Sequence, residues 1–225
     1  MKPSSWVISP AIRLILGRIC RVDCAELARV PSHGPLIIVV NHINFLEVPL
    51  LYCYLHPRGV IGLIKIETWD NRLLGALANA WEAIPIDREA TDLGAMHAVL
   101  AALHEGRIVI IAPEGTRSGH GRLQKGHGGV IQLAARSGAP LLPIAHYGGE
   151  SFWRNLALPR RTRVTFRVGE PCRLVVPEGG LTKSVREEAT DELMRRLALL
   201  LPERYRGVYA GAGAGPPRYL LPLEV

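Results

Sequence analysis

Lysine is scarce in this chain. Among 27 basic residues only Lys2, Lys65, Lys125 and Lys183 are lysines, so arginine carries most of the formal net charge of +7. A basic balance suits an anionic partner: a phosphate ester, an anionic lipid surface or a nucleic acid. Nucleic acid is disfavoured, because no aromatic-basic recognition pattern is present. Cysteine is also sparse. Cys20, Cys24, Cys53 and Cys172 form no C-x-x-C pair and no ligand-like spacing, which reads as reduced thiols in a cytosolic compartment. His97, His104, His120, His127 and His146 lack metal-ligand spacing, H-x-x-x-H is absent, and neither a metal nor a cofactor is expected. Long apolar runs are missing too. The stretch from Met1 to Cys24 has an apolar middle, but Pro10, Arg13 and Arg18 interrupt it, and it is too short and charged to span a bilayer. No small-residue cleavage site stands out, so no signal peptide is expected.

What remains is ample for a core. With 225 residues and 48% hydrophobic content, the chain is long enough for one substantial domain and is not disordered. Ser9-Pro10 reads as a helix start, with serine as cap and proline in the first helical position. Ile8, Ile12, Ile15 and Ile19 recur at spacings of four and three; Arg13, Gly17 and Arg21 fall opposite, and Arg18 breaks the pattern. Such a short basic amphipathic helix either lies in a membrane interface or packs on its own domain.

After residue 34 the pattern alternates. Strands are predicted at 35–40, 60–64, 83–86, 107–111, 141–145, 163–168 and 172–176, and helices at 45–56, 70–80, 90–105, 126–137 and 182–201. Short apolar runs between helical patterns indicate βα units and a mostly parallel sheet. The last two strands, joined by Gly169-Glu170-Pro171, read as an antiparallel extension. The Gly-, Ala- and Pro-rich tail from residue 210 to 225 reads as flexible. The expected organisation is therefore 1–30 as an amphipathic, membrane-associated segment, 31–209 as the main domain and 210–225 as tail.

Two strand ends carry chemistry, and open α/β sheets place their sites at the carboxyl ends of strands. The run Pro35–Val40 leads into Asn41-His42-Ile43-Asn44-Phe45-Leu46-Glu47. Residues five apart on a helix are rotated by about 140° and share no face. If His42 and Glu47 cooperate, the histidine must precede the helix and the glutamate must lie in its first turn. Asn44 permits this as a cap. Neutral imidazole is the usual base for a hydroxyl, and a carboxylate on its other nitrogen fixes the tautomer. The competing reading is structural: Asn44-x-x-Glu47 resembles a capping box, with Glu47 merely holding the helix end.

The run Ile108–Ile111 leads into Ala112-Pro113-Glu114-Gly115-Thr116-Arg117-Ser118. Gly115 permits a sharp turn with positive φ, its backbone N–H groups can face an anion, and Arg117 can hold a phosphate in a fork. The glycine-rich stretch continues through Lys125-Gly126 and Gly128-Gly129 into a helix, without the G-K-[ST] of a Walker loop. Alternatively this is an ordinary strand-to-helix connection with a solvated arginine. Lys65 and Asp87-Arg88 add charge at two further strand ends, where solvated charge is the simple explanation.

Together these residues resemble the phospholipid and glycerol acyltransferase family, which includes the 1-acylglycerol-3-phosphate acyltransferases. That family's blocks run N-H-x4-D, a D-R-containing block, F-P-E-G-T-R-S and a V-P-V-like strand. Here they are matched in order by Asn41-His42-x4-Glu47, Ala83–Arg88, Ala112–Ser118 and Leu142-Pro143-Ile144, with Lys65-Ile66-Glu67 and Lys125-Gly126 between and after. The resemblance implies a mixed, mostly parallel α/β sheet flanked by helices, glycerol-3-phosphate acyltransferase-like, with an N-terminal amphipathic helix. It implies acyl transfer from acyl-CoA or acyl-carrier protein to the free hydroxyl of 1-acylglycerol 3-phosphate (lysophosphatidic acid), giving phosphatidic acid, at the cytoplasmic face of the cell membrane and peripheral to it. Carried over, His42 is the general base and Glu47 its orienting partner. Arg117, with Arg88 and Lys65, holds the acceptor's phosphate, while Glu114, Gly115 and Thr116 shape its site. Glycerol 3-phosphate, another lysophospholipid or an aminolipid precursor are alternative acceptors, and a non-catalytic lipid-binding protein is the alternative of a different class. Three departures stand out: Glu47 replaces the family's usual aspartate, Asn44 the frequent serine, and Ala112 the phenylalanine.

Overall fold

In the computed structural model, which describes residues 2–87, 92–211, 213 and 215–223, the chain folds as strands and helices in alternation. The strands are β1 (Cys20–Asp23), β2 (Leu36–Val40), β3 (Val60–Lys65), β4 (Ile84–Ile86), β5 (Ile108–Ile111), β6 (Leu141–Tyr147), β7 (Thr162–Val168), β8 (Cys172–Leu174) and β9 (Leu220–Pro222). The helices are α1 (Ser5–Ile19), α2 (Glu47–Leu55), α3 (Arg72–Ala80), α4 (Leu93–His104), α5 (Gly129–Ser137), α6 (Phe152–Ala157) and α7 (Lys183–Leu199). The main sheet runs β1-β7-β6-β2-β5-β3-β4, with β8 and β9 extending from β6. From β6 through β2, β5 and β3 to β4 every pairing is parallel. The sheet is therefore mixed and mostly parallel, with helices on both faces.

β2 lies between β6 and β5 and is buried along its whole length. Such a strand needs apolar residues on both faces, which its sequence Leu-Ile-Ile-Val-Val supplies. Leu36, Ile38 and Val40 pack into one core with Leu16 of α1 and Leu50 and Leu51 of α2. Ile37 and Val39 pack into a second with Val99 of α4, Ile131 of α5 and Leu193 of α7. Side-chain alternation along the strand thus builds both layers at once.

The predicted extension is antiparallel, and both of its strands pair with β6: Ile144 opposite Val168, and Leu141 opposite Cys172. Between these pairs the register slips by one residue at Gly169–Pro171, as in a β-bulge. Proline has no N–H to give the ladder, so the interruption falls where the sequence puts it.

Several expectations are corrected. α1 begins near Ser4 rather than at Ser9, with Pro10 inside it. Ser9 is no cap, because its hydroxyl accepts the indole N–H of Trp81 at 3.1 Å. Nor do the four isoleucines form one buried stripe, since Ile15 is 62% exposed. α1 instead has two faces. Ser5, Ser9 and Leu16 are buried against the domain, whereas Val7, Leu14 and Ile15 face outward. Arg13 lies over the ring of Tyr54 in α2, at 4.6 Å. Within 1–30, β1 joins the sheet beside β7. The tail is not flexible throughout, because β9 pairs with β8. Glu192 accepts the backbone N–H groups of Tyr219 and Leu220, whose side chains are buried. No helix among the described residues is long and apolar enough to cross a membrane.

Candidate active site

Because β2 is central, the loop leaving its carboxyl end is enclosed by the loops leaving β5 and β6. Asn41, His42 and Ile43 are buried there. α2 begins with Glu47, so the histidine precedes the helix and the glutamate opens its first turn. His42 Nδ1 donates to Glu47 Oε1, in a pair that is nearly excluded from solvent. The other oxygen, Oε2, accepts the backbone N–H of Asn44 at 3.2 Å. One oxygen thus meets the His42 ring and the other the Asn44 N–H, while the residue at the N-cap of α2 is Leu46 rather than Asn44. Asn44 is not the cap expected of it and holds the loop instead: its Oδ1 accepts the N–H of Leu46 at 2.8 Å, and its amide donates to the Gly149 carbonyl, also at 2.8 Å. Burial alone raises the Glu47 carboxyl, but the hydrogen bond from His42 and the neighbouring His146 and His42 rings outweigh it and hold it below the usual range. With Nδ1–H engaged by a carboxylate, Nε2 is left as the proton acceptor.

The loop after β5 grips this one through main-chain groups. Glu114 Oε1 accepts the N–H of His42 at 2.7 Å and Oε2 accepts that of Gln124 at 2.8 Å. Its side chain is buried, which raises its carboxyl despite those two N–H donors. Ser118 and Gly119 donate their N–H groups to the carbonyls of His42 and Ile43, both at 2.8 Å. Gly115 has φ 68°, the left-handed turn expected of it. Gly115, Thr116 and Arg117 are exposed beside the junction, and Arg117 has no acidic partner among the described residues. Glu114 itself faces inward, so the structure does not bring it to the surface with its three successors.

Three supports were not legible in the sequence. Asn41 and His146 clamp β2 to β6: the Asn41 amide donates to the His146 carbonyl, the His146 N–H returns to Asn41 Oδ1, and His146 Nε2 donates to the Asn41 carbonyl at 2.6 Å. Burial pushes His146 down, although Glu47 opposes the shift. Glu150, just past β6, accepts the hydroxyl of Tyr205 at 2.6 Å. The segment around Tyr205 is laced to the loop that follows β5, with Leu123 N–H donating to the Tyr205 carbonyl and Val208 N–H to the Leu123 carbonyl. Gly207 makes this possible: at φ 53° a Cβ would stand 1.9 Å from the Leu123 carbonyl oxygen. Nothing in local spacing flags these pairs, whose members lie far apart in the chain.

Of the remaining predicted residues, Lys65 ends β3 and pairs with Glu67 at 2.7 Å. It stands two strands from β2, about 10 Å across the sheet. Arg88 lies outside the described residues.

Comparison with known proteins bears on the same segment. The Acyltransferase family model matches residues 21–147, from β1 to the end of β6. A 1-acyl-sn-glycerol-3-phosphate acyltransferase of Bacillus subtilis is 27% identical over 161 residues, covering 72% of this chain and 78% of that protein. A lyso-ornithine lipid O-acyltransferase of Pseudomonas aeruginosa is 31% identical over 134 residues, covering 58% of this chain and 50% of that protein. A Limnanthes alba 1-acyl-sn-glycerol-3-phosphate acyltransferase is 33% identical over 121 residues, 52% of this chain and 43% of that protein. The crystal structure of the 1-acyl-sn-glycerophosphate (LPA) acyltransferase PlsC from Thermotoga maritima superposes with a TM-score of 0.64 over 84% of this chain and 76% of that one, at 20% identity. The fold is thus shared with PlsC. Since the family model spans more than half of the sequence and takes in both loops that meet at His42, the chain belongs to the Acyltransferase family.

Proposed function

We propose that this O-acyltransferase moves a fatty acyl group from acyl-CoA or acyl-carrier protein to the free hydroxyl of 1-acylglycerol 3-phosphate, with His42 as general base. The observation that carries the reading is the His42–Glu47 pair at the end of the central strand, joined through Ser118 to the exposed Gly115-Thr116-Arg117 turn. In the proposed step the acceptor hydroxyl gives its proton to His42 Nε2 as its oxygen attacks the thioester carbonyl. Collapse of the tetrahedral intermediate breaks the C–S bond, and the departing thiolate takes the proton back, leaving ester and free thiol. Glu47 steadies the imidazolium in between. Arg117 holds the acceptor phosphate, with Lys65 and Arg88 as the further basic residues of the acceptor site. Gly115 and Thr116 shape that turn, and Glu114 acts from beneath by fixing the His42 peptide.

The outward Val7, Leu14 and Ile15 of α1 support a peripheral seat on the membrane, and no helix among the described residues is long and apolar enough to cross it; the cytoplasmic face is part of the proposal. In this reading residues 1–30 attach the enzyme, 31–209 carry the chemistry, and the tail closes against β8. The similarity to the Pseudomonas protein favours one second reading, the same chemistry on an aminolipid acceptor.

Thiol release from a long-chain acyl-CoA, and in parallel from acyl-carrier protein, tests the proposal. Lysophosphatidic acid, a lyso-aminolipid or no acceptor would be offered. Release that needs lysophosphatidic acid and His42 is expected. Release with the aminolipid alone would replace the acceptor, and acceptor-independent release would mean a thioesterase.

A further inference from the structure

From Ser151 to Val168 the chain carries Arg154, Arg160, Arg161, Arg163 and Arg167 and no acidic residue. Two of these serve the fold. Arg161 Nη2 donates to the carbonyls of Gly17 and Cys20, at 2.6 and 2.7 Å, and so ties the α6–β7 loop to the end of α1. Arg167 pairs with Asp23 and Glu26. Arg154, Arg160 and Arg163 are exposed and have no acidic partner among the described residues.

β1 sharpens the point. It forms the outer edge of the sheet and runs parallel to β7, with Arg21 in register with Arg163. Residues in register on neighbouring strands project from the same face, about 4.8 Å apart at the backbone. Both arginines are exposed, and Arg21 likewise has no acidic partner among the described residues. Like charges directly opposite destabilise a sheet, and an external anion relieves them.

Apolar side chains precede these arginines on α6 and in the turn that leads into β7, on the face of β7 where Thr162 and Val164 lie. Trp153 is 64% exposed, Leu156 44% and Leu158 52%. They are held close to β7: the Asn155 amide donates to Thr162 Oγ1 at 3.2 Å, and Arg160 N–H donates to the Asn155 carbonyl at 2.8 Å. On its inner side Trp153 meets Phe45, with ring centroids 5.3 Å apart, on the loop that carries His42. Indole beside unpaired guanidinium is the chemistry of a lipid interface: tryptophan favours the headgroup level, arginine the anionic leaflet, and the leucines the acyl boundary. A nucleic acid or a wholly polar acidic partner would have no use for the leucines.

We infer that the α6–β7 edge is a second docking surface, for a bilayer rich in anionic lipid. Trp153, Leu156 and Leu158 enter the interface, while Arg21, Arg160 and Arg163 meet headgroup phosphates. The inference rests on the peripheral-membrane part of the proposed function and adds to α1 an attachment point beside the catalytic loop.

The test is sedimentation of the full chain with phosphatidylglycerol-rich and with phosphatidylcholine vesicles at low salt. Three proteins are compared: the parent, the triple variant Arg21→Ser/Arg160→Ser/Arg163→Ser, and the α1 variant Leu14→Ser/Ile15→Ser. The triple variant is expected to bind phosphatidylglycerol-rich vesicles on the order of a hundred-fold more weakly, at one basic contact per arginine, with little change on phosphatidylcholine. Its melting curve and its thiol release with a detergent-dispersed acceptor should match the parent. Trp153→Ser should weaken binding to both vesicles by roughly ten-fold. Parent-like vesicle binding by the triple variant, with the α1 variant impaired, would overturn this surface and leave the membrane reading standing. No vesicle binding by the parent would overturn both. If the triple variant loses affinity for acyl-carrier protein while vesicle binding persists, the surface is a donor dock and the lipid proposal fails.

Discussion

Glu114 Oε1 accepts the main-chain N–H of His42 at 2.7 Å, so the second loop fixes the peptide that carries the proposed base. The same carboxylate holds Gln124 N–H at 2.8 Å, so each of its oxygens serves the main chain. Glu114→Ala should leave the buried N–H of His42 and the part-buried N–H of Gln124 without their charged acceptor. The expected loss is about 2–4 kcal/mol of stability, or roughly 5–15 °C in Tm, with kcat falling further than the acceptor KM rises. A variant with parent-like melting and only a raised KM would return Glu114 to the acceptor site.

Glu47 is one of three departures from the family pattern, and its extra methylene has a geometric use. From the first residue of α2 the longer side chain reaches the His42 ring with one oxygen and the Asn44 N–H with the other. Glu47→Asp, although it restores the family's usual residue, should therefore lower kcat by about ten- to a hundred-fold, because the shorter arm cannot serve both contacts on this backbone. Glu47→Gln should cost more, about 10³–10⁴-fold, by unsettling the tautomer. Full activity in the aspartate variant would show that α2 shifts to compensate.

Much of the fold was legible because its signals are local. β2 announces itself by an unbroken apolar run, and Gly115 by the turn it had to make. His42 and Glu47 were legible as a pair only on condition that a helix began between them, which it does. What escaped were elements whose reasons lie elsewhere in the chain. β1 is four residues, two of them charged, and is a strand only because β7 offers it an edge. β9 sits in a Gly- and Pro-rich tail and owes its order to Glu192 and β8. Ser9-Pro10 carried a correct local signal for a helix start that tertiary contact with Trp81 overrode. The Asn41–His146 clamp joins residues from β2's end and β6, a pairing that periodicity cannot encode.

That clamp sets a pH dependence. Burial holds His146 below its ordinary value of ~6.5. As pH falls through that value the unfolded chain takes up the proton first, so the contribution is complete above about pH 6.5 and is lost as pH drops toward the depressed folded value. His56, also lowered by burial, acts in the same sense. Glu47, lowered too, adds a loss that begins near the ordinary carboxylate value of ~4.3, whereas Glu114, raised, has the opposite sign and stabilises below that value. Melting curves between about pH 8 and about pH 5.5 should fall with acid, by at most about 1.4 kcal/mol per pH unit for one proton. His146→Gln should flatten the part that belongs to this residue. An unchanged slope in the variant would assign the acid loss to other groups.

Arg117 separates binding from stability. Its side chain is exposed and makes no ion pair within the described fold, so Arg117→Ala should melt within about 0.5 kcal/mol of the parent. The acceptor KM should nevertheless rise by about ten- to a hundred-fold, with kcat nearly unchanged, since a phosphate fork binds ground state and transition state alike. Added salt should narrow the gap by weakening the parent. An acceptor KM that stays at the parent value would remove Arg117 from the phosphate site.

The two faces of α1 should respond to substitution in opposite ways. Leu16 is 7% exposed and packs with β2 and α2, so Leu16→Ala should cost about 2–5 kcal/mol and lower Tm whether or not membrane is present. Leu14 and Ile15 are 66% and 62% exposed, so replacing them with serine should leave the melt in buffer nearly unchanged. The same double variant should release less protein-bound activity to vesicles and turn over membrane-borne acceptor more slowly, while its rate on a detergent-dispersed acceptor holds. The contrast among three consecutive residues is the point: a helix that merely packs on its own domain gives a stability effect on one face and nothing on the other, whereas an interfacial helix gives stability on one and vesicle affinity on the other. Equal vesicle binding by parent and double variant would reduce α1 to the first kind.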